Sequence, residues 1–230
     1  MRAILTTLFL LVGSICMNGQ GSGFGYLMDV GGSAFSQSTF EYDQMIRSVT
    51  HNGFIRFHNE SGHLATQLML GYRTDKAFFQ NFSDFLGADD VTMEEYNSDA
   101  LIERYAWKFG LIEQLQFGRH PGRFIFSLNP GLFYEYTVQA FREGNYDGIS
   151  YQLYDEINPH NLGYTLGFEL RFRWITFGYK AEQLFRDVLD HDYILSQELN
   201  VNNSTELRGL KLNPLMHYFY FGINIDFFDK

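Results

Sequence analysis

The chain has 230 residues, with 45% hydrophobic and 18% aromatic residues and a formal charge of −10. That length suits one all-β domain, and the acidic balance argues against a nucleic-acid partner, which would need clustered Lys and Arg to meet phosphates. Four prolines and an aromatic content of 15 Tyr and 24 Phe argue against a disordered chain and favour strands.

Arg2 precedes an apolar run from Ala3 to Val12, followed by small and polar residues. This is the pattern of a secretory signal peptide, too short for a membrane-spanning helix, so residues 1–20 are expected to be cleaved and 21–230 to form the mature domain. Ile15 fits poorly before a lipidated cysteine. Removal of the leader takes Cys16, the single cysteine, with it, so no disulfide is expected and stability must come from packing and hydrogen bonds.

Alternation of apolar and polar residues predicts eight strands, at 24–36, 45–58, 63–74, 101–117, 123–140, 162–173, 175–185 and 213–227. The connections alternate between tight and long. "NESG", "GRHPG" and Arg173-Trp174 are short, whereas 37–44, 75–100, 141–161 and 186–212 are long. A transmembrane barrel has this rhythm, with short periplasmic turns and longer outward loops.

A second regularity sets a length. Trp107 and Phe117, Phe124 and Tyr134, and Tyr164 and Trp174 each lie ten residues apart on the apolar parity of one strand, and His217 and Phe227 repeat the spacing. Ten residues at roughly 3.3 Å, tilted by about 40°, rise about 25 Å, the height of the apolar band between the aromatic girdles of an outer-membrane barrel. A soluble sandwich has no reason to keep that distance. The expected fold is therefore an eight-stranded antiparallel up-and-down transmembrane barrel in the outer membrane, with both termini on the periplasmic side.

If the aromatic parity faces lipid, the opposite parity faces the lumen. It carries Arg104, Lys108, Gln114 and Gln116; then Ser127, Asn129, Glu135, Thr137 and Gln139; then Glu169, Arg171 and Arg173. Lys180 and Glu182 follow, and after them Tyr218, Tyr220, Asn224 and Asp226. Eight strands enclose only enough room for side chains, so these ions are expected to pair in a cross-strand polar plug. Glu113 falls on the lipid parity, which predicts a bulge near it or a slipped register. The segment 45–58 fits least well, because His51 and Gly53 fall outward and Phe54 inward. Leu27 and Asp29 share the inner parity of the first strand.

The long connections are acidic: 75–100 holds seven acids (Asp75, Asp84, Asp89, Asp90, Glu94, Glu95 and Asp99) against Lys76. Phe78, Phe79, Phe82, Phe85 and Leu86, and again Leu184, Phe185, Val188 and Leu189, recur at helical spacing, which predicts two short helices over the barrel mouth. The sharper alternative is a docking surface for another envelope protein, formed by 75–100 and 186–212.

Candidate catalytic groups are sparse. Asp89-Asp90 and Asp190-His191-Asp192 resemble the mouth residues of omptin-type outer-membrane proteases, where such groups activate a water, but the likeness covers five residues and omptins use ten strands. A lipid A deacylase would need a His-Ser-carboxylate set on the outer wall; His217 sits at the right height, with no serine two residues away. His58, Glu60 and His63 have the residue types of a metal site, but a polar hairpin turn accounts for the same residues. "DVGGSAF" lacks the following helix of a phosphate cradle. No nucleophile motif, metal-ligand set or cofactor fingerprint is present, so the expectation is a non-enzymatic protein without a cofactor. Its expected partners are outer-membrane lipid and lipopolysaccharide.

Three stretches, "FSLNPGLFYEYTVQ" (126–139), "LGYTLGFELRF" (162–172) and "YFYFGINIDFF" (218–228), resemble the small outer-membrane β-barrel family to which PorT-type proteins belong. The resemblance implies insertion by the outer-membrane assembly machinery, which reads an aromatic terminal strand; here Phe228, Asp229 and Lys230 follow Phe227. It also implies, as an alternative function, an accessory role in type IX protein secretion.

Overall fold

The computed structural model describes residues 21–37, 42–59, 63–79, 100–118, 124–144, 150–153, 157–190 and 214–228. The leader, the predicted cleavage site, Asp89-Asp90 and His191-Asp192 lie outside these residues, as does the rest of the acidic 80–99 segment.

Nine strands run β1 (Gly21–Gln37), β2 (Tyr42–His58), β3 (Leu64–Phe79), β4 (Ala100–Phe117), β5 (Phe124–Gly144), β6 (Ser150–Leu153), β7 (His160–Phe172), β8 (Ile175–Leu184) and β9 (Met216–Phe228). Each pairs antiparallel with its neighbours. β1 joins β9 and β4 joins β5, so the sheet closes on itself and leaves no spanning edge. β6 and β7 form one broken wall strand: β5 pairs through Ala140–Glu143 with β6 and through Phe124–Tyr136 with β7. The barrel is thus eight-stranded, as the alternation predicts, with one wall interrupted where 141–161 is expected to be a loop.

Several strands are longer than expected. β1 and β2 stay paired to Gln37↔Tyr42, and β3 runs through Asp75 to Phe79. Strands of 16 to 21 residues exceed the roughly 9–11 needed to span a bilayer, so the barrel projects beyond the girdle at its loop end. Asp75, Phe78 and Phe79 consequently belong to the wall and not to a loop helix. Leu184 ends β8, and 185–190 is an irregular segment joined to the stretch just before the neighbouring β7 by the bridge Ile157↔Leu189. No helix forms there: Val188 and Leu189 turn in to cover the lumen, while Phe185 stays outside against Tyr164.

Glu113 faces outward without a bulge. The buried-exposed alternation of β4 passes through it unbroken, and its side chain accepts a hydrogen bond from Thr66 Oγ1 at 3.0 Å. The β4–β5 ladder is interrupted beside it, between Ile112↔Gly131 and Leu115↔Leu128. Pro130, which has no N–H to donate, stands in that gap. The bulge lies at the other end of the pair: Tyr105 faces Gln139 and Ala106 faces Thr137, which leaves Val138 as the extra residue. Val138 and Gln139 are both exposed, so Gln139, expected in the lumen, points outward. Arg173 is also not luminal. It occupies the two-residue β7–β8 turn at φ 54°, exposed at the turn end.

Candidate functional site

The lumen is filled by ions. Arg56, Arg73, Arg104, Lys108, Arg171 and Lys180 face Asp29, Asp75, Glu135, Glu169, Glu182 and Asp226, six cations to six carboxylates among the described residues. At the loop end, Arg73 donates from Nη1 to Glu135 Oε1 at 2.5 Å and from Nε to Asp75 Oδ1 at 2.8 Å, with Nη2 on the Tyr218 hydroxyl. Arg104 donates through Nη2 to Glu135 Oε2 at 3.0 Å and through Nε to Asp75 Oδ2 at 2.8 Å. Two guanidiniums and two carboxylates thus close a four-membered ring, each acid bridging both bases.

At mid-depth Lys180 bridges Asp29 (2.6 Å) and Glu182 (2.9 Å), while Lys108 donates to the other Glu182 oxygen and lies over the Phe133 ring at 4.2 Å. Asn52 adds a second donor to Asp29 at 2.8 Å. At the turn end Arg56 reaches Gln67, Asn224 and Glu169, and Arg171 reaches Asp226 at 3.0 Å. Such an interior is tolerable only because it is neutral and paired; a lone ion here would cost several kcal/mol.

Of the residues expected to form a plug, Arg104, Lys108, Glu135, Glu169, Arg171, Lys180 and Glu182 all face the lumen, but as three linked groups. Arg104 and Glu135 belong to the upper ring, Lys108, Lys180 and Glu182 to the middle, and Glu169 and Arg171 to the lower. Sequence reasoning placed Asp29 and Asp226 inward without counting them in the plug, and missed Arg56, Arg73 and Asp75. The parity signal existed: Arg56 shares the phase of Ser48, Thr50 and Asn52, and Arg73 that of Gln67 and Met69. Asp75 falls one residue past the predicted end of its strand.

Above the ions the mouth is sealed by apolar side chains. Ile46, Ala77, Ile102, Ala140, Ile157, Leu184, Val188, Leu189 and Met216 form one buried cluster with Phe133 and Tyr218. The lid is pinned by Asn158, whose N–H donates to Val188 O and whose side chain donates to Asp187 O and Leu189 O. Among the described residues, two cavities of about 20 Å³ lie in the lumen. Each has room for about one water, and neither makes a channel.

The outside is the reverse of a soluble surface. Phe219 is 71% exposed, Leu166 60%, Trp174 58% and Phe124 57%, in a chain whose lumen buries Lys and Glu. The expected girdle residues Trp107, Phe117, Phe124, Tyr134, Tyr164, Trp174 and Phe227 all lie on this outer face. Phe117, Phe124, Trp174 and Phe227 stand at the turn end; Trp107, Tyr134 and Tyr164 stand one band-height above. Tyr72 packs against Trp107 with ring centres 5.1 Å apart. Polar tips within the band are satisfied in pairs, since hydrocarbon offers no partner. The Tyr26, Tyr134 and Tyr179 hydroxyls lie 2.5–2.6 Å from Nδ1 of His51, His160 and His217. A closed sheet with an apolar band of bilayer height outside and ions inside has lipid as its solvent. The chain is an integral outer-membrane β-barrel.

No protein-family model matches the chain, and no curated protein matches it. Among solved structures it is similar to a major outer membrane protein from Thermus thermophilus (10% identity, TM-score 0.46, 90% of this chain and 99% of that one). It is also similar to Neisserial surface protein A (10% identity, TM-score 0.38, 90% and 97%). A third is Ail, the attachment invasion locus protein of Yersinia pestis (10% identity, TM-score 0.37, 90% and 97%). The assignment as a barrel rests on the closed sheet and its band.

The remaining candidates are dispersed. His217 is engaged by Tyr179 on the outer wall, Asp190 lies at the end of the lid segment, and His58 is buried in the lumen near Asp226 while His63 is exposed at the turn end. Among the described residues no group of three His, Cys, Asp or Glu is placed to hold a metal ion.

Proposed function

We propose that this chain is a non-enzymatic structural or accessory subunit that works from its outer and extracellular faces, contacting surface lipid or another envelope protein and passing nothing through its lumen. The observation that carries this reading is the neutral, ion-paired interior beneath an apolar lid, whose cavities have room for no more than about one water each. Transport would require the Arg73–Asp75–Arg104–Glu135 ring to open, which leaves buried charges without partners. The test is a planar-bilayer recording of the folded protein. A silent membrane is expected, and a steady conductance that scales with added protein would overturn the reading.

The PorT-like role in type IX secretion is the alternative. Its support is that the three resembling stretches fall on β5, β7 and β9, which supply Glu135, Glu169, Arg171 and Asp226 to the plug. A native gel of gently solubilised outer membrane separates the two. Co-migration with a secretion assembly favours the alternative, and migration as a lone small barrel removes it. An omptin-like protease or lipid A deacylase would need a hydrolytic set at the rim, and of the residues considered His217 is committed to Tyr179.

A further inference from the structure

Starting at the upper girdle, one row of outward residues crosses five strands. His217 on β9 pairs with Gly32 on β1, Gly32 with Arg47 on β2, Arg47 with Lys76 on β3, and Lys76 with Glu103 on β4. His217, Arg47 and Lys76 are all exposed. Neighbouring strands are about 4.8 Å apart, so His217 and Arg47 flank the bare Gly32 backbone at roughly 10 Å, wide enough for a phosphate to be held from both sides. The gap is fixed: a Cβ on Gly32 would run into the Ile46 carbonyl.

The imidazole is oriented by a neighbour. The Tyr179 hydroxyl and His217 Nδ1 are hydrogen-bonded at 2.5 Å, so Nε2 is the ring nitrogen opposite that contact. Two residues below Gly32 stands Val30, paired with Phe219 on one side and Val49 on the other. Val30 is 43% exposed, and Phe219 is the most exposed large apolar residue among the described residues. His217 and Arg47 therefore lie directly over an apolar trough, with Lys76 one strand further along the row. A soluble anion uses only the upper half of this arrangement, whereas a phosphorylated lipid uses both.

We propose that His217, Arg47 and Lys76 form a docking site for the phosphate of an outer-leaflet lipid headgroup, with an acyl chain lying in the trough over Val30 between Phe219 and Val49. The site builds on the reading of the barrel as one that works from its outer face, and it names the lipid chemistry that reading leaves open. Lys76 holds Glu103 by a hydrogen bond, which keeps that carboxyl below its usual range and fixes the ammonium at the edge of the row.

The test is native mass spectrometry and titration of the full mature barrel in micelles with a phosphorylated acyl glycolipid, its dephosphorylated form, and inorganic phosphate as competitor. Expected are retention of the phosphorylated lipid, loss of retention on dephosphorylation, and no displacement by millimolar phosphate. R47Q/K76Q should bind about tenfold more weakly, with R47Q and H217Q each weaker by a smaller factor and R173Q, at the opposite end, unchanged. R47Q alone serves if the double variant does not fold, as judged by heat-modifiable gel mobility. Equal binding by wild-type and R47Q barrels, or equal binding of the dephosphorylated lipid, overturns the proposal, and displacement by free phosphate makes it a soluble-anion site instead. None of these failures alters the bilayer recording, so the sealed-barrel reading stands or falls separately.

Discussion

Arg73 Nη1 lies 2.5 Å from Glu135 Oε1, and Arg104 Nη2 lies 3.0 Å from the other oxygen of the same carboxylate, inside a barrel whose outer face meets lipid. Glu135 is wholly buried and holds two cations from strands β3 and β4. Its removal cannot be made good by solvent. Glu135→Leu is expected to cost about 3–5 kcal/mol, the usual loss when one partner of a buried pair is deleted. Glu135→Gln, which keeps an acceptor, should cost less. Urea titration of the folded barrel in micelles reads both, and equal stability of Glu135→Leu and wild type would refute the ring's role.

Glu169 and Arg56 give a sharper comparison. Arg56 also reaches Gln67 and Asn224, so Glu169→Leu leaves it hydrogen-bonded but without its counter-charge. The single variant should lose resistance to heat and detergent. Arg56→Met with Glu169→Leu should regain much of the loss, because an apolar pair of similar volume replaces a buried ion pair at little or no cost. A double variant less stable than the single would show that Arg56 contributes mainly through its amide partners.

Depth in the bilayer grades the outer wall. Phe168 lies near the middle of β7, between Tyr164 and Trp174, while Phe124 stands at the turn-end girdle. Phe168→Lys should destabilise by about 2–4 kcal/mol and Phe124→Lys by about 0–1 kcal/mol. Equal costs would mean that the outer face does not sample a bilayer gradient.

The Lys76–Glu103 pair is exposed on one side, so its contribution to stability is small. Lys76→Gln should cost less than about 1 kcal/mol. Glu103's carboxyl is held low by Lys76, so the contribution is present at neutral pH, above the carboxylate's unfolded value. It fades as pH falls through the lowered folded value. A stability difference between wild type and Lys76→Gln that disappears in strong acid is the expected readout; a difference that grows there would reverse the sign of the linkage.

Much of the wall is legible in the chain's alternation. Ser48, Thr50, Asn52 and Arg56 alternate with His51, Gly53 and Ile55, and the structure keeps that phase even where Phe54 inward and Gly53 outward look like misfits. Phe54 turns in to lie beneath the Arg56 guanidinium, 4.9 Å from its ring centre, so the apparent misfit is a packing contact across one strand. Gln139 and Arg173 mislead for local reasons. A one-residue bulge reverses parity beyond Val138, and a tight turn ends it at Arg173. Leu184, Val188 and Leu189 match a helical spacing, yet they are buried in a cluster with Ile157 and with residues of β2, β3, β4, β5 and β9, so no helix is needed to explain the pattern.

Local patterning sets the strand period, the ten-residue interval between girdle aromatics and the sign of each face. All three follow from a backbone that turns successive side chains to opposite sides and a bilayer of fixed thickness. Which charge meets which comes only from the closed barrel: Arg73 with Glu135 across 62 residues, Arg56 with Glu169 across 113, Lys180 with Asp29 across 151. Those pairings depend on the stagger of every strand at once and on closure of β1 against β9. No local window contains that information. The same closure brings His217 beside Gly32 and Phe219 beside Val30.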